Sequence, residues 1–186
     1  MGLTGLFGAS FDPPHNGHLA LVDSARQTFG LDRLVVLVTA RPRYKEVATP
    51  LEDRFALAHA AFPGNEVEVE QSTSDVTVRA AEQAYGDVIF LVGADQFRDF
   101  PTWHDPDAVL EHARLGVGTR AGVSRETLQD VLGRVSRPDR VLFFDIPEVP
   151  VASRELRARV VAGESLRGLV PPAVAKEIAA RELYRS

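Results

Sequence analysis

The stretch GASFDPPHNGH, residues 8–18, decides how this chain reads. It places two glycines, two prolines, an aspartate and two histidines directly after a short apolar run, Leu3–Phe7, that reads as a buried strand. His18–Phe29 follows as a helix, with Leu19, Val22 and Ala25 on one side and Gly30 past its end. The loop therefore sits where a first strand becomes a first helix. In open α/β sheets that is where ligands bind, and the helix N-terminus there offers N–H groups and a positive dipole end to phosphates. The glycine pattern is neither the P-loop nor the dinucleotide fingerprint. Here Gly8 is expected to release the backbone from the strand, Pro13 and Pro14 to stiffen the turn, and Gly17 to leave room at the helix start. His15 and His18 are three apart and share a face in a helical turn. Two such imidazoles can grip an anion or bind a metal; Asp12 is the candidate third ligand, and no clearer one is found. Singly, a histidine near a helix start reads equally as a solvated cap and Pro-Pro as a rigid turn. Together, at this position, they point to function.

Outward from the loop, the pattern repeats. Leu34–Val38 and DVIFLVG (87–93) are continuous apolar runs, the mark of strands covered on both faces. EVEVE (66–70), RLGVGTR (114–120) and RVLFFDI (140–146) add further strands. Between them lie helical segments: one from about Pro50 with Thr49 as N-cap, SDVTVRAAEQAY (74–85) capped by Ser74 or Asp75, PDAVLEHA (106–113), and SRETLQDVLGRV (124–135) with Ser124 and Thr127 near its start. His59 and His112 fall within amphipathic helices and read as structural or solvated. Strands alternating with helices predict an α/β fold, a doubly wound, Rossmann-like, mostly parallel sheet. After Pro147 and Pro150, SRELRARVVAGES (153–165) and PPAVAKEIAARELY (171–184) are two helical segments with no strand between. The expectation is a single domain over 1–186, with an α/β core at 1–146 and a C-terminal helical element at 147–186.

Composition bounds the rest. The chain has 186 residues, 45% of them hydrophobic and 25% charged, the balance of a soluble globular protein. It has no cysteine, which excludes disulfides and thiolate metal sites and fits the cytoplasm. It shows neither a leader pattern nor an apolar run of the roughly 20 residues that span a bilayer, so no membrane is expected. A net charge of −5 argues against nucleic acid as a partner, since that binding is driven by phosphate neutralisation. An anionic small molecule would need a local basic site. Oligomeric state stays open, a homo-oligomer included.

GASFDPPHNGH resembles the G-x-F-D-P-x-H-x-G-H signature of the H-x-G-H nucleotidyltransferase superfamily, with one extra residue between Gly8 and Phe11. GADQFRDFPTWHD (93–105) resembles the G-A-D…W segment of the nicotinate (nicotinamide) mononucleotide adenylyltransferase family. VASRELR (151–157) resembles that family's I-S-S-T-x-I-R, and Gly163, Ser165, Arg167, Leu169, Val170 and Pro171 match the stretch that follows it. The resemblance runs in order over nearly the whole chain. It implies an enzyme that joins a mononucleotide phosphate to the α-phosphate of ATP and releases pyrophosphate, as in NAD biosynthesis, by in-line displacement. It also implies Mg2+ carried in with ATP, and no firm protein ligand for it.

By the same resemblance, His15, His18 and Arg157 are the catalytic residues, the histidines on the ATP phosphates and Arg157 on the β and γ phosphates. Gly8, Ser10, Phe11, Gly93, Asp95 and Ser153 join them in binding ATP, Gly93 and Asp95 at the adenosine ribose. Lys45, Thr77, Trp103 and His104 lie on the acceptor side, with Trp103 stacked on the pyridine ring. Alone, Trp103 would read as core and Arg157 as a solvated helix residue. Departures from the family pattern are Ala152 and Arg154 for serine and threonine, Tyr44 for histidine, and Val76 for tyrosine. They keep two alternatives in view: a paralogue with another phosphate acceptor (nicotinamide mononucleotide or phosphopantetheine), and a nucleotide-binding regulator without turnover.

Overall fold

The computed structural model describes residues 2–42, 47–120 and 122–185. Strands and helices alternate as the sequence predicts: β1 (Thr4–Ala9), α1 (Asn16–Phe29), β2 (Arg33–Thr39), α2 (Leu51–Ala61), β3 (Glu66–Glu70), α3 (Ser74–Tyr85) and β4 (Val88–Gly93). Then come α4 (Ala94–Asp99), α5 (Pro106–His112), β5 (Arg114–Thr119), α6 (Arg125–Leu132), β6 (Val141–Asp145), α7 (Ser153–Val161) and α8 (Pro172–Ala180). The strands form one parallel sheet in the order β3-β2-β1-β4-β5-β6. The order reverses at β1, so the loop that follows β1 leaves from a topological switch point.

The chain groups into two compact units. One comprises Met1–Phe7, Leu21–Val35 and Ser72–Glu148; the other comprises Gly8–Ala20, Val36–Gln71 and Val149–Ser186. In the first, β4 is buried from Val88 to Val92 and pairs in register with β1 (Leu6 beside Phe90) and β5 (Leu91 beside Gly116). A Cβ at Gly116 would stand 2.9 Å from the Leu91 side chain, which is why the β5 centre is glycine. Val78, Phe97, Phe100, Val109 and Leu110 pack from the helices. In the second unit, α8 packs on α2, and Leu57, Ala58, Leu156, Val174 and Ile178 supply its apolar interior.

Several local expectations are corrected. β1 runs through Gly8 to Ala9, so Gly8 is a buried strand residue and does not release the chain. The turn is made later, by Phe11 at φ 51° and a cis Asp12-Pro13 bond. Thr49 does not cap α2; Pro50 is the residue at its start, and the Thr49 hydroxyl bonds Asp12 instead. α3 starts after Thr73 without a side-chain cap. α4 is a short helix the sequence pattern does not announce. Ser124, which the sequence places near the start of α6, caps it, accepting from Thr127 N–H.

Arg54 organises the second unit. It is 1% exposed, and its fork donates to four main-chain carbonyls: Thr49 (3.3 Å), Ser10 (3.0 Å), Thr39 (2.8 Å) and Ala40 (3.1 Å). One guanidinium thus joins the exit of β1, the end of β2 and the approach to α2. Burial lowers its pKa, an effect opposed by nearby Asp12, and an arginine stays charged regardless. Arg54→Met should lower stability by about 3 kcal/mol, because it strands several buried carbonyls. Arg54→Lys should recover only part, since an ammonium lacks the fork. Urea unfolding reads both, and a loss for Arg54→Met below about 0.5 kcal/mol would show that the carbonyls find other donors.

Candidate active site

The first loop is held from below by a buried carboxylate. Asp12 is 2% exposed. Its Oδ2 accepts from Ala48 N–H at 2.6 Å, and its Oδ1 accepts from the hydroxyls of Thr49 (2.5 Å) and Tyr184 (2.8 Å). With these bonds made, Asp12 is an anchor within the loop and its oxygens are turned away from metal binding. Phe11 is 1% exposed, and its ring meets His18 and Phe62 edge-on. Any contact it makes with a ligand therefore runs through its backbone.

The two histidines stand on this base. His15 precedes α1, and its carbonyl accepts the His18 N–H at 2.9 Å. The imidazoles are stacked, centroids 3.8 Å apart and planes 24° from parallel, a closer pairing than the shared helical face expected. Gly17 makes this possible, because a Cβ there would lie 3.0 Å from the His15 ring. His15 N–H donates to His18 Nδ1 at 3.1 Å. An accepting Nδ1 places the His18 proton on Nε2, so the ring is a neutral donor.

The C-terminal segment closes on the same loop. Asn16 N–H donates to Leu169 O at 3.0 Å and its side chain to Gly168 O at 2.8 Å, which gives the matched 163–171 stretch a definite task. Ser153, at the start of α7, donates its hydroxyl to Pro13 O at 2.8 Å. Arg157, one turn on, donates to Asp12 O at 2.7 Å, with the Asp12 carboxylate 3.8 Å away. The structure thus brings together Ser10, Phe11, His15, His18, Ser153 and Arg157. Lys45 and Tyr44 lie outside the described residues.

The remaining candidates belong to the other unit. Gly93 ends β4, and its N–H donates to Gln96 Oε1 at 3.1 Å. The Asp95 side chain is 73% exposed, 3.6 Å from Arg120 and 3.8 Å from Arg98. Trp103 is half-buried, edge-on to Phe90 and Phe100. His104 Nδ1 lies 3.1 Å from Asp75 Oδ1, its own side chain 60% exposed and the carboxylate buried. Thr77 donates its hydroxyl to Thr73 O at 3.2 Å, and Val76 is exposed beside it. His112 is fixed between Glu82 and Arg79, a structural placement.

Two contributors have roles the sequence did not show, and one was missed. Asp75 was one of two candidate caps of α3, whereas its carboxylate meets His104. The resemblance places Arg54 only at the start of the helix after the Lys45 loop, whereas it is a buried hub. Tyr184 carried no local signal. Among the described residues, no group of three or more His, Asp or Glu side chains could hold a metal ion, and no helix is long and apolar enough to cross a membrane.

The model of the cytidylyltransferase-like family matches residues 6–159. A probable nicotinate-nucleotide adenylyltransferase of Thermomicrobium roseum is 33% identical over all of this chain and 93% of its own length. One of Gemmatimonas aurantiaca is 37% identical over 97% of this chain and 92% of its own. Among solved structures, Plasmodium falciparum nicotinic acid mononucleotide adenylyltransferase complexed with NaAD superposes with a TM-score of 0.76 at 13% identity, covering 99% of this chain and 98% of that one. That likeness is one of fold.

The Asp75–His104 contact has a consequence for acid stability. Burial pushes the Asp75 carboxyl up, but hydrogen bonds with Thr73 and His104 outweigh it, so its pKa lies below the ordinary value. A depressed carboxyl contributes stability that is fully present above the unfolded-state value of about 3.9 and is lost as pH falls through the folded value. Asp75→Asn should therefore be less stable than wild type by about 1 kcal/mol at pH 7, with the gap closing below about pH 4. Urea unfolding at several pH values measures it. A gap that does not change with pH would mean that the charged form is not what the site holds.

Proposed function

We propose that this chain, which belongs to the cytidylyltransferase-like family and within it to the nicotinate-nucleotide adenylyltransferases, transfers the adenylyl group of ATP to nicotinate mononucleotide and releases pyrophosphate. The observation that carries this reading is the locked imidazole pair. His18 offers Nε2–H from a ring whose Nδ1 is already engaged, at the start of a helix, over a buried anchor. Such donors suit a reaction in which phosphate oxygens gain charge.

In this reading an oxygen of the acceptor phosphate attacks the α-phosphorus of ATP. The new P–O bond forms as the bond to the β-phosphate oxygen breaks, and pyrophosphate leaves with the electron pair. The nucleophile is already an anion, so no general base is required and none has to be found among the side chains. His15 and His18 bind the transferring phosphate, Arg157 binds the β and γ phosphates through its fork, Ser10 lines the same loop, and Gly8 lies just before it at the end of β1. Ser153 fastens α7 to that loop. By the resemblance, Gly93 and Asp95 are assigned to the adenosine, and Trp103, His104, Thr77 and Lys45 to the pyridine nucleotide.

ATP enters as its magnesium complex, the ion screening the triphosphate. We place the reaction in the cytoplasm, in keeping with the cysteine-free chain.

Pyrophosphate release from magnesium ATP tests the proposal, with nicotinate mononucleotide, nicotinamide mononucleotide and phosphopantetheine offered in parallel. Release with the nicotinate compound supports it. Release only with another acceptor reassigns the substrate, and release with none, despite ATP binding, means a regulator. His18→Ala should lower kcat by about 10²-fold or more, as when a transition-state donor is removed; survival within a few-fold would end the role given to His18. Trp103→Ala should raise the acceptor KM more than the ATP KM, and equal effects would remove Trp103 from the pyridine side.

A further inference from the structure

We infer that Tyr184 is a positioning residue for triphosphate binding: with Thr49 it satisfies the buried Asp12 carboxylate and so keeps Arg157 available for phosphate. The inference rests on the role proposed above for Arg157.

The geometry is specific. Asp12 has a carboxylate in the interior and an arginine beside it, a pairing that would ordinarily close into a two-pronged ion pair. It does not close. Arg157 Nη1 lies 3.8 Å from Asp12 Oδ2, beyond hydrogen-bond range, and bonds the main-chain oxygen of the same residue at 2.7 Å. The carboxylate is occupied otherwise, by two hydroxyls on Oδ1 and one amide N–H on Oδ2. Burial, and then the charge of Asp12 next to it, raises the pKa of the Tyr184 phenol, which therefore remains a donor.

Tyr184 is brought there with some effort. α8 stops at Ala180, and both Glu182 and Tyr184 adopt the left-handed backbone that side chains disfavour, φ 53° and 60°. Leu183 N–H bonds back to Ile178 O at 3.0 Å, and Arg181 reaches Asp53 of α2 at 2.9 Å. The segment after α8 is thus wound and tied so that one hydroxyl reaches one carboxylate oxygen. Without it, the partly unsatisfied carboxylate draws the guanidinium in, and the phosphates must compete with Asp12 for it. Arg157 is 26% exposed on its side chain, so its guanidinium is accessible from solvent.

The test compares ATP with AMP by titration calorimetry in the presence of magnesium. AMP lacks the β and γ phosphates assigned to Arg157, so only ATP should sense the change. In Tyr184→Phe the Kd for ATP should rise about tenfold, the scale of one hydrogen bond to a charged group, while the Kd for AMP stays within about twofold. Equal weakening of both ligands would mean a general loosening of the loop and would overturn the inference, as would unchanged ATP affinity. Thr49→Val removes the other hydroxyl from a different segment; it carries the same expectation and decides the matter if Tyr184→Phe does not fold. Wild type that binds AMP but not ATP, or neither, would sink the proposed function itself. Wild type that binds ATP while both variants match it would sink only the role of Tyr184.

Discussion

Two opposite charges are buried under the first loop, and each must find partners inside the protein. Asp12 draws Ala48, Thr49 and Tyr184 to its carboxylate, and Arg54 draws the carbonyls of Ser10, Thr39, Ala40 and Thr49 to its fork. An unpaired charge in such a place would cost several kcal/mol, so the segments that supply partners have little freedom to move. That rigidity is what allows Phe11 to sit at φ 51°, a conformation that a free loop would relax. The ring of Phe11 then supports His18 from beneath, edge-on with centroids 5.3 Å apart. The imidazoles are therefore held by a chain of constraints that begins at the buried charges.

The element order was legible from the sequence because its cause is local. Leu34–Val38 and Val88–Val92 are buried on both faces, and a strand with no solvent face must be apolar throughout. α4 was not legible: six residues, ADQFRD, give too short a window for a helical period to show. The cap expected at Thr49 failed for a different reason. Thr49 is a good capping residue by type, but its hydroxyl is taken by Asp12, a partner far away in sequence. Local propensity cannot anticipate a tertiary competitor.

The same distinction divides the candidate site. His15, His18 and Gly17 stand close together in sequence, and the need for glycine follows from the ring that lies against it. Asp12 was visible too, though only as the candidate third ligand of the weaker, metal reading of the loop; its partners lie 36 or more residues away. Arg54 sits in LEDRFALAHAA, in the first turn of α2, and nothing in that local pattern marks it as buried. Only the fold, by placing the ends of β1 and β2 over the first turn of α2, converts that residue into a buried hub. Tyr184 is 172 residues from the carboxylate it bonds, and no spacing within the sequence encodes that contact.

The departures in the VASRELR segment can be weighed on the same geometry. Of the three hydroxyl positions in the resembling motif, this chain keeps the one at 153, and that hydroxyl holds α7 against Pro13. Positions 152 and 154 are exposed, and Ala152 begins the helix with no side-chain cap. Their changes therefore leave the fastening of α7 intact, and with it the placement of Arg157 one turn later. A helix N-terminus also presents backbone N–H groups that do not depend on the side chains around it. What the motif must preserve in this protein is the direction of α7 and its arginine, and both are set by contacts the chain retains.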